Sequence, residues 1–494
     1  DNTRVDESSD TWDTVDWLLK NIPGNNGKVG IWGISYPGFY AAASLPGAHP
    51  AVKAVSPQAP MADEFIGNDV NHGGAFFLLD NFEFEDFFDH PRPHPWENYP
   101  EIFPLHYADA YRFYLQMGPI SNANKNYYHH QSKIWDEYVD HSTYDDYWRS
   151  RDIRPRLKDI HPAVLIVGGW FDAEDLFGSL SIYQRIVQQS PATDCRLIMG
   201  PWTHGAWAGG NWDHFGVDQF GSNTGAWFWQ QERDFFNYYL KGTGSYGLSK
   251  ATIFITGSSQ WKSYDQWPPE GSKNFSLYLQ PGGGLSDVKP AGLGNPDAYT
   301  SDPARPVPYM NVVQEGRNNE YMNADQRFAS RRPDVLVYET GPLQADLTFC
   351  GPVEAKLFAS MSGTDADFVV KLIDVFPEDT PGKYDGLPLA GYQQLVRADI
   401  LRGKFRDSWE HPQPFTPGKI TPVDVQLQDI AHTFNKGHRI MVQIQSSWFP
   451  LVDRNPQRFM NIPDATAKDF QQNAINIYHD AEHPSALILK EVAR

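Results

Sequence analysis

The apolar positions change period several times along the chain, and each change marks an element. Trp12, Val15, Trp17, Leu18 and Leu19 recur at near-helical spacing behind the capping candidates Ser8, Ser9 and Asp10, so the first element is a helix. Val29, Ile31 and Trp32 form a short apolar strand, Gly33 and Gly38 permit a sharp turn, and Phe39 to Ala43 starts a second helix. Val52 to Ser56 then closes a β-α-β unit of the kind that builds parallel sheets. From 64 to 152 the character shifts. Phe76, Phe77, Phe82, Phe84, Phe87, Phe88, Trp96, Tyr107, Tyr111, Phe113, Tyr114 and Trp135 lie among acids at helix-like spacings without alternation, which predicts an inserted helical cap.

Buried parallel strands resume at Ala163 to Gly169 and at Arg196 to Met199, with Leu180 to Gln189 as the crossover helix between them. Trp227 to Leu240 reads as another aromatic helix. Beyond it the period becomes two: Ile440, Val442 and Ile444 alternate with Met441, Gln443 and Gln445, and Val353, Ala355 and Leu357 behave alike. Frequent turns such as Pro281 to Gly284 suit a two-sheet sandwich or jelly roll. The expected fold class is α/β. The hydrolase-type sheet occupies 1–63 and 153–245, the helical cap 64–152, and a β-sandwich or jelly-roll domain 246–494.

Composition narrows the function. A chain of 494 residues with a 40% hydrophobic fraction holds two or three domains with ample cores. Its net charge of −20, without a Lys/Arg run, disfavours nucleic acid or an anionic membrane as partner and suits cationic or neutral ligands. No apolar run reaches the roughly eighteen residues of a membrane span, and residues 1–20 are not a signal peptide. Cys195 and Cys350 alone cannot build a disulfide scaffold or a four-thiolate zinc site, no H-E-x-x-H occurs, and His129-His130 lies in an exposed aromatic stretch. Neither a metal nor a cofactor is expected.

The chemistry concentrates in Lys28 to Ser44, KVGIWGISYPGFYAAAS, which compresses strand, sharp turn and helix. This is the layout of a nucleophile elbow with Ser35 at its tip, although the second glycine falls three residues after the serine and Pro37 takes the expected place. Proline suits the first turn of a helix, where its missing N–H is not needed. A serine nucleophile requires a base and an acid that orients the base, and α/β-hydrolases supply them in the order Ser, Asp/Glu, His. Asp172 follows one predicted strand and His204 the next, so the order is met. The N–H of Tyr36, the residue after the serine, is the candidate oxyanion donor.

The segments G-I-S-Y-P-G, G-G-W-F-D-A-E-D and G-P-W-T-H-G resemble the α-amino acid ester hydrolases, relatives of cocaine esterase and of the X-Pro dipeptidyl-peptidase group. The likeness spans essentially the whole chain, including Asp365 to Asp374 in the jelly roll. It implies that Asp69, Glu174 and Asp175 hold the α-ammonium of a small-molecule amino acyl ester or amide, including amino-β-lactam side chains, with transfer to amines. An ammonium with three N–H donors can engage three carboxylates; taken as residues alone, Asp69 is a loop acid and Glu174 and Asp175 helix caps. The resemblance further implies a homo-oligomer and export to a periplasm or beyond. It also implies a missing N-terminal part, on the order of a hundred residues, that would carry earlier strands and a second, tyrosine oxyanion donor. Three alternatives stand beside this reading: a general carboxylesterase or acylase in which the three acids are structural, an X-Pro dipeptidyl peptidase, and a carbohydrate-binding or assembly β-sandwich. The last needs an exposed aromatic platform, which the spacing of Trp261 and Trp267 does not establish.

Overall fold

The computed structural model describes residues 6–90, 93–95 and 100–492; Trp96 of the expected cap lies outside them. Helix α1 (Glu7–Asn21) begins earlier than its apolar pattern implies, because Asp6 caps it: the carboxylate accepts the N–H groups of Ser8 and Ser9, each at 3.1 Å. Ser8, Ser9 and Asp10 therefore form the first turn and not the cap. Strand β1 (Val29–Ile34), helix α2 (Tyr36–Ala43) and strand β2 (Val52–Gln58) follow as expected.

The cap includes helices α3 (Leu78–Phe88), α4 (Ala110–Met117), α5 (Lys133–Asp140) and α6 (Asp146–Arg151), joined by short helical turns and irregular segments. Strand β3 (Ala163–Gly169), helix α7 (Leu176–Gln189) and strand β4 (Cys195–Gly200) resume the sheet. After helix α8 (Thr224–Phe236), strands β5 (Ala251–Ile255) and β6 (Gln260–Tyr264) complete it. The order is β1-β2-β3-β4-β5-β6, parallel through β5 with β6 antiparallel. The sheet thus continues past the expected boundary at 246, to Tyr264. The run Ala251–Ile255 is buried throughout, like β3, and so shares the signature of the parallel strands rather than the alternation of the next domain.

Among the described residues, eleven strands of the C-terminal domain form one continuous sheet, from Asp297–Ser301 at one end to Gln393–Arg402 at the other, with Thr421–Phe434 pairing off the long strand Leu347–Met361. The ladder curls over one apolar core that joins Ile475 and Ile477 near one end to Phe368 and Leu401 near the other, as a jelly roll requires. Trp267 is buried and Trp261 stacks on Trp227 at 4.0 Å, so this pair forms no exposed platform.

What fixes the cap is a second aromatic core shared with the jelly roll. Phe65, Phe82, Trp135 and Trp148 pack in one cluster with Phe405, Trp448 and Phe449, and the Phe65 and Phe405 rings lie 5.4 Å apart. Full burial of each such side chain contributes about 1.5–3 kcal/mol. The cap is thus held from both sides over the carboxyl ends of the sheet.

Candidate active site

Ser35 alone connects β1 to α2, at φ 66° and ψ −129°, a conformation that L residues rarely adopt. Two glycines make room for it. A Cβ on Gly33 would lie 2.3 Å from the Pro37 carbonyl oxygen, and one on Gly38 2.3 Å from that of Gln58. The Ser35 N–H donates to the Gln58 carbonyl at 3.0 Å, which ties the elbow to β2. Tyr36 is the first residue of α2, so its N–H has no intrahelical acceptor.

Asp172 and His204 stand on the loops after β3 and β4, at the same carboxyl edge of the sheet as Ser35. Asp172 is 2% exposed. Each of its oxygens is 3.1 Å from His204 Nδ1, and Oδ1 also accepts the N–H groups of Glu174 and Asp175 at 2.9 Å. Burial pushes the Asp172 pKa up, but the His204 charge and these bonds outweigh it and hold the carboxyl below 3.8. Burial alone would lower the His204 pKa; Asp172, Glu174 and Asp175 reverse that and hold the imidazole well above 6.5. Gly205 brings this loop against the elbow, since a Cβ there would lie 3.4 Å from Ile34 Cγ2. Among the described residues His204 Nε2 has no hydrogen-bond partner, Ser35 Oγ included, and Glu174 Oε2 is 3.5 Å from it. Such a serine–histidine bond often tightens only when substrate binds.

Ser35 and Tyr36 line a cavity of about 490 Å³ under the cap. Its wall carries Asp69, Asp80 and Glu174, and from further into the cap Glu64, Glu83, Glu85 and Glu137, set against Arg151 and Arg317. Asp69 and Glu174 thus line the cavity. Asp175 does not line it. It is fully buried at the N-terminus of α7, where Oδ1 accepts from Asn68 Nδ2 at 2.6 Å and Oδ2, 3.9 Å from His204 Nδ1, accepts no hydrogen bond among the described residues. Among the described residues nothing donates to the Asp69 carboxylate, and burial, then the charge of Glu174, raises its pKa well above 3.8. Burial and the charge of Asp69 do the same to Asp175.

Arg317, from a loop of the jelly-roll domain, pairs with both Asp80 and Glu174. Sequence reasoning missed it because Gly316-Arg317-Asn318-Asn319 has no periodicity and lies 143 residues from Glu174 in the chain. Asp80 and Glu85 were also missed, although acids inside the aromatic run Leu78–Phe88 were a signal that one face of that helix meets something polar.

The profile of the X-Pro dipeptidyl-peptidase (S15 family) matches residues 1–206, and that of the X-Pro dipeptidyl-peptidase C-terminal non-catalytic domain matches residues 238–488. Cocaine esterase of Rhodococcus sp. (strain MB1 Bresler) is 29% identical over 516 residues, covering 99% of this chain and 85% of that protein. Among solved structures, an aminopeptidase from a marine sediment archaeon, Thaumarchaeota archaeon, superposes with a TM-score of 0.92 at 36% identity, covering 100% of this chain and 81% of that one. An α-amino acid ester hydrolase labelled with selenomethionine superposes with a TM-score of 0.92 at 34% identity, covering 99% and 81%. Both likenesses extend through the elbow, the cap and the jelly roll, and the chain therefore belongs to the X-Pro dipeptidyl-peptidase (S15) family of serine hydrolases.

Proposed function

We propose that the protein hydrolyses esters and amides of α-amino acids, including the acyl side chains of amino-β-lactams, through an acyl-enzyme on Ser35. The observation that carries this reading is that Asp69, with no donor of its own, and Glu174 share one cavity wall with the elbow serine. A neutral acyl group would gain nothing from two carboxylates placed there. An α-ammonium next to the scissile carbonyl gains charge-assisted hydrogen bonds worth about 1.5–3 kcal/mol each. Asp175, behind the wall, adds a third negative potential without contact.

In this reading His204 takes the Ser35 proton as the oxygen attacks the carbonyl, and Asp172 orients the ring and stabilises the imidazolium. The Tyr36 N–H donates to the developing oxyanion. His204 returns the proton to the leaving group, and water, or an amine acceptor, then cleaves the acyl-enzyme by the same steps in reverse.

The acids that favour an ammonium also favour the imidazolium, which cannot act as base. The acid limb of kcat/KM is therefore expected above pH 6.5, the ordinary histidine value, with activity lost as pH falls through it. The groups facing the ring are Asp172, Glu174 and Asp175, with Asp69 nearby and Arg317 bound to Glu174. Glu174→Gln removes one acid and is expected to move the limb down towards 6.5. A pH–rate profile of both proteins checks this; an unmoved limb would remove Glu174 from the ring's electrostatics.

The ammonium clamp has its own test. Asp69→Asn keeps the shape of the side chain and removes its charge, so kcat/KM on an α-amino ester is expected to fall about 10–100-fold, for one charge-assisted bond, with little change on the des-amino ester. An equal fall on both substrates would make Asp69 structural.

A further inference from the structure

The cavity continues past Asp69 into the cap, where helix α3 turns Asn81, Phe84, Glu85 and Phe88 towards it at spacings of three and four. Glu85 is 2% exposed, and among the described residues its Oε2 has no hydrogen-bond partner. Its carboxyl is in hydrogen-bond contact with Tyr138. The charges that bear on it most are all acids, namely Asp89, Glu64 and Asp69. Asp89 is already used, accepting from Ser132 Oγ at 2.9 Å and from the Ile134 N–H at 2.8 Å. Glu64, on the same cavity wall, feels the charge of Arg151, but that guanidinium stacks 3.4 Å from the Tyr147 ring centroid and lies 3.5 Å from Glu137.

A buried acid with a free oxygen, on a cavity wall and among other acids, is costly to maintain. Helix formation does not call for it, since glutamine or leucine would serve α3 equally well. Cap packing does not either, because Phe82 and Leu79 supply the core face of the same helix. A ligand cation supplies what is lacking. Phe84, Phe88, Ile134 and Tyr147 line the approach and suit a methylene stem.

We propose that Glu85 and Glu64 form a second cation subsite that takes the side-chain ammonium of a basic acyl group, such as lysyl or ornithyl, while the α-ammonium sits at Asp69 and Glu174. This rests on the reading given above and extends it from α-amino esters to those with a cationic side chain. Burial holds the Glu85 carboxyl up to about 8 and that of Glu64 up to about 7, so the empty subsite keeps protons that an arriving cation displaces.

The test compares kcat/KM for lysine methyl ester and norleucine methyl ester, which differ by the side-chain ammonium, at physiological salt. Lysine is expected to be preferred at least tenfold, and Glu85→Gln and Glu64→Gln are each expected to reduce the preference to about threefold or less. Glu270→Gln, on the outer surface, is expected to keep it, which separates a local subsite from general attraction to a chain of charge −20. A wild-type ratio near one, or a preference that survives both substitutions, would overturn the subsite. Methyl 6-aminohexanoate against methyl hexanoate reads the second subsite without the first. A preference there, with norleucine ester no better than methyl hexanoate, would sink the Asp69 reading and leave the Glu85 subsite standing.

Discussion

Replacing Ser35 by alanine is expected to lower kcat on any accepted ester by about 10⁴-fold or more, to the level that binding and oxyanion stabilisation alone provide. The size follows from the position. Ser35 is the whole of the connection between β1 and α2, its left-handed backbone is held by contacts of Gly33 and Gly38, and its neighbours across the sheet edge are the His204 loop and the acidic wall. Alanine adopts the same strained conformation at similar cost and leaves the cavity intact, so substrate binding is expected to persist while turnover vanishes. Pre-steady-state measurement with an activated ester in excess separates the two: wild type gives a burst of released alcohol from acylation, and Ser35→Ala gives none. A burst that survives would place the nucleophile elsewhere.

Asp172→Asn is expected to cost about 10⁴-fold in kcat, with a much smaller change in KM. In the aspartate, Oδ1 accepts the N–H groups of Glu174 and Asp175 and both oxygens meet His204 Nδ1. An asparagine keeps its carbonyl oxygen on those two N–H groups and sets its NH₂ against Nδ1. The ring must then accept at Nδ1 and carry its proton on Nε2, so it cannot take one from Ser35. The same change removes the charge that most strongly holds the imidazole above 6.5, so the acid limb of the residual activity is expected to move down. A loss of tenfold or less, with the limb in place, would mean that another group orients His204.

Much of this molecule is legible in its sequence, and the illegible parts share a physical cause. The elbow, β3 and β4 can be read because a buried parallel strand is a short continuous apolar run, and the residues that follow it fall at the catalytic edge whatever the rest of the chain does. Strand β5 falls beyond the expected boundary although its buried run resembles β3, because its pairing with β4 is set by tertiary contacts that local pattern does not carry. Glu174 and Asp175 are adjacent in sequence, yet one faces the cavity and the other is buried, since the start of α7 turns them in different directions. Arg317 reaches the site through the packing of the jelly roll on the sheet, and local pattern carries little trace of such a long-range contact, whereas Glu85 is marked only as an acid inside an aromatic helix.

The substrate reading turns on whether the cavity recognises an α-ammonium. The most direct measurement is kcat/KM on phenylglycine methyl ester against phenylacetic acid methyl ester, which differ by that one group, with Ser35→Ala as the blank. Two charge-assisted bonds, net of desolvation, correspond to a preference of about 10²-fold or more for the amino ester, and Asp69→Asn is expected to remove most of it. Equal rates on the two esters, both abolished by Ser35→Ala, would leave a serine esterase that does not read the amine and would contradict the assignment of Asp69 and Glu174.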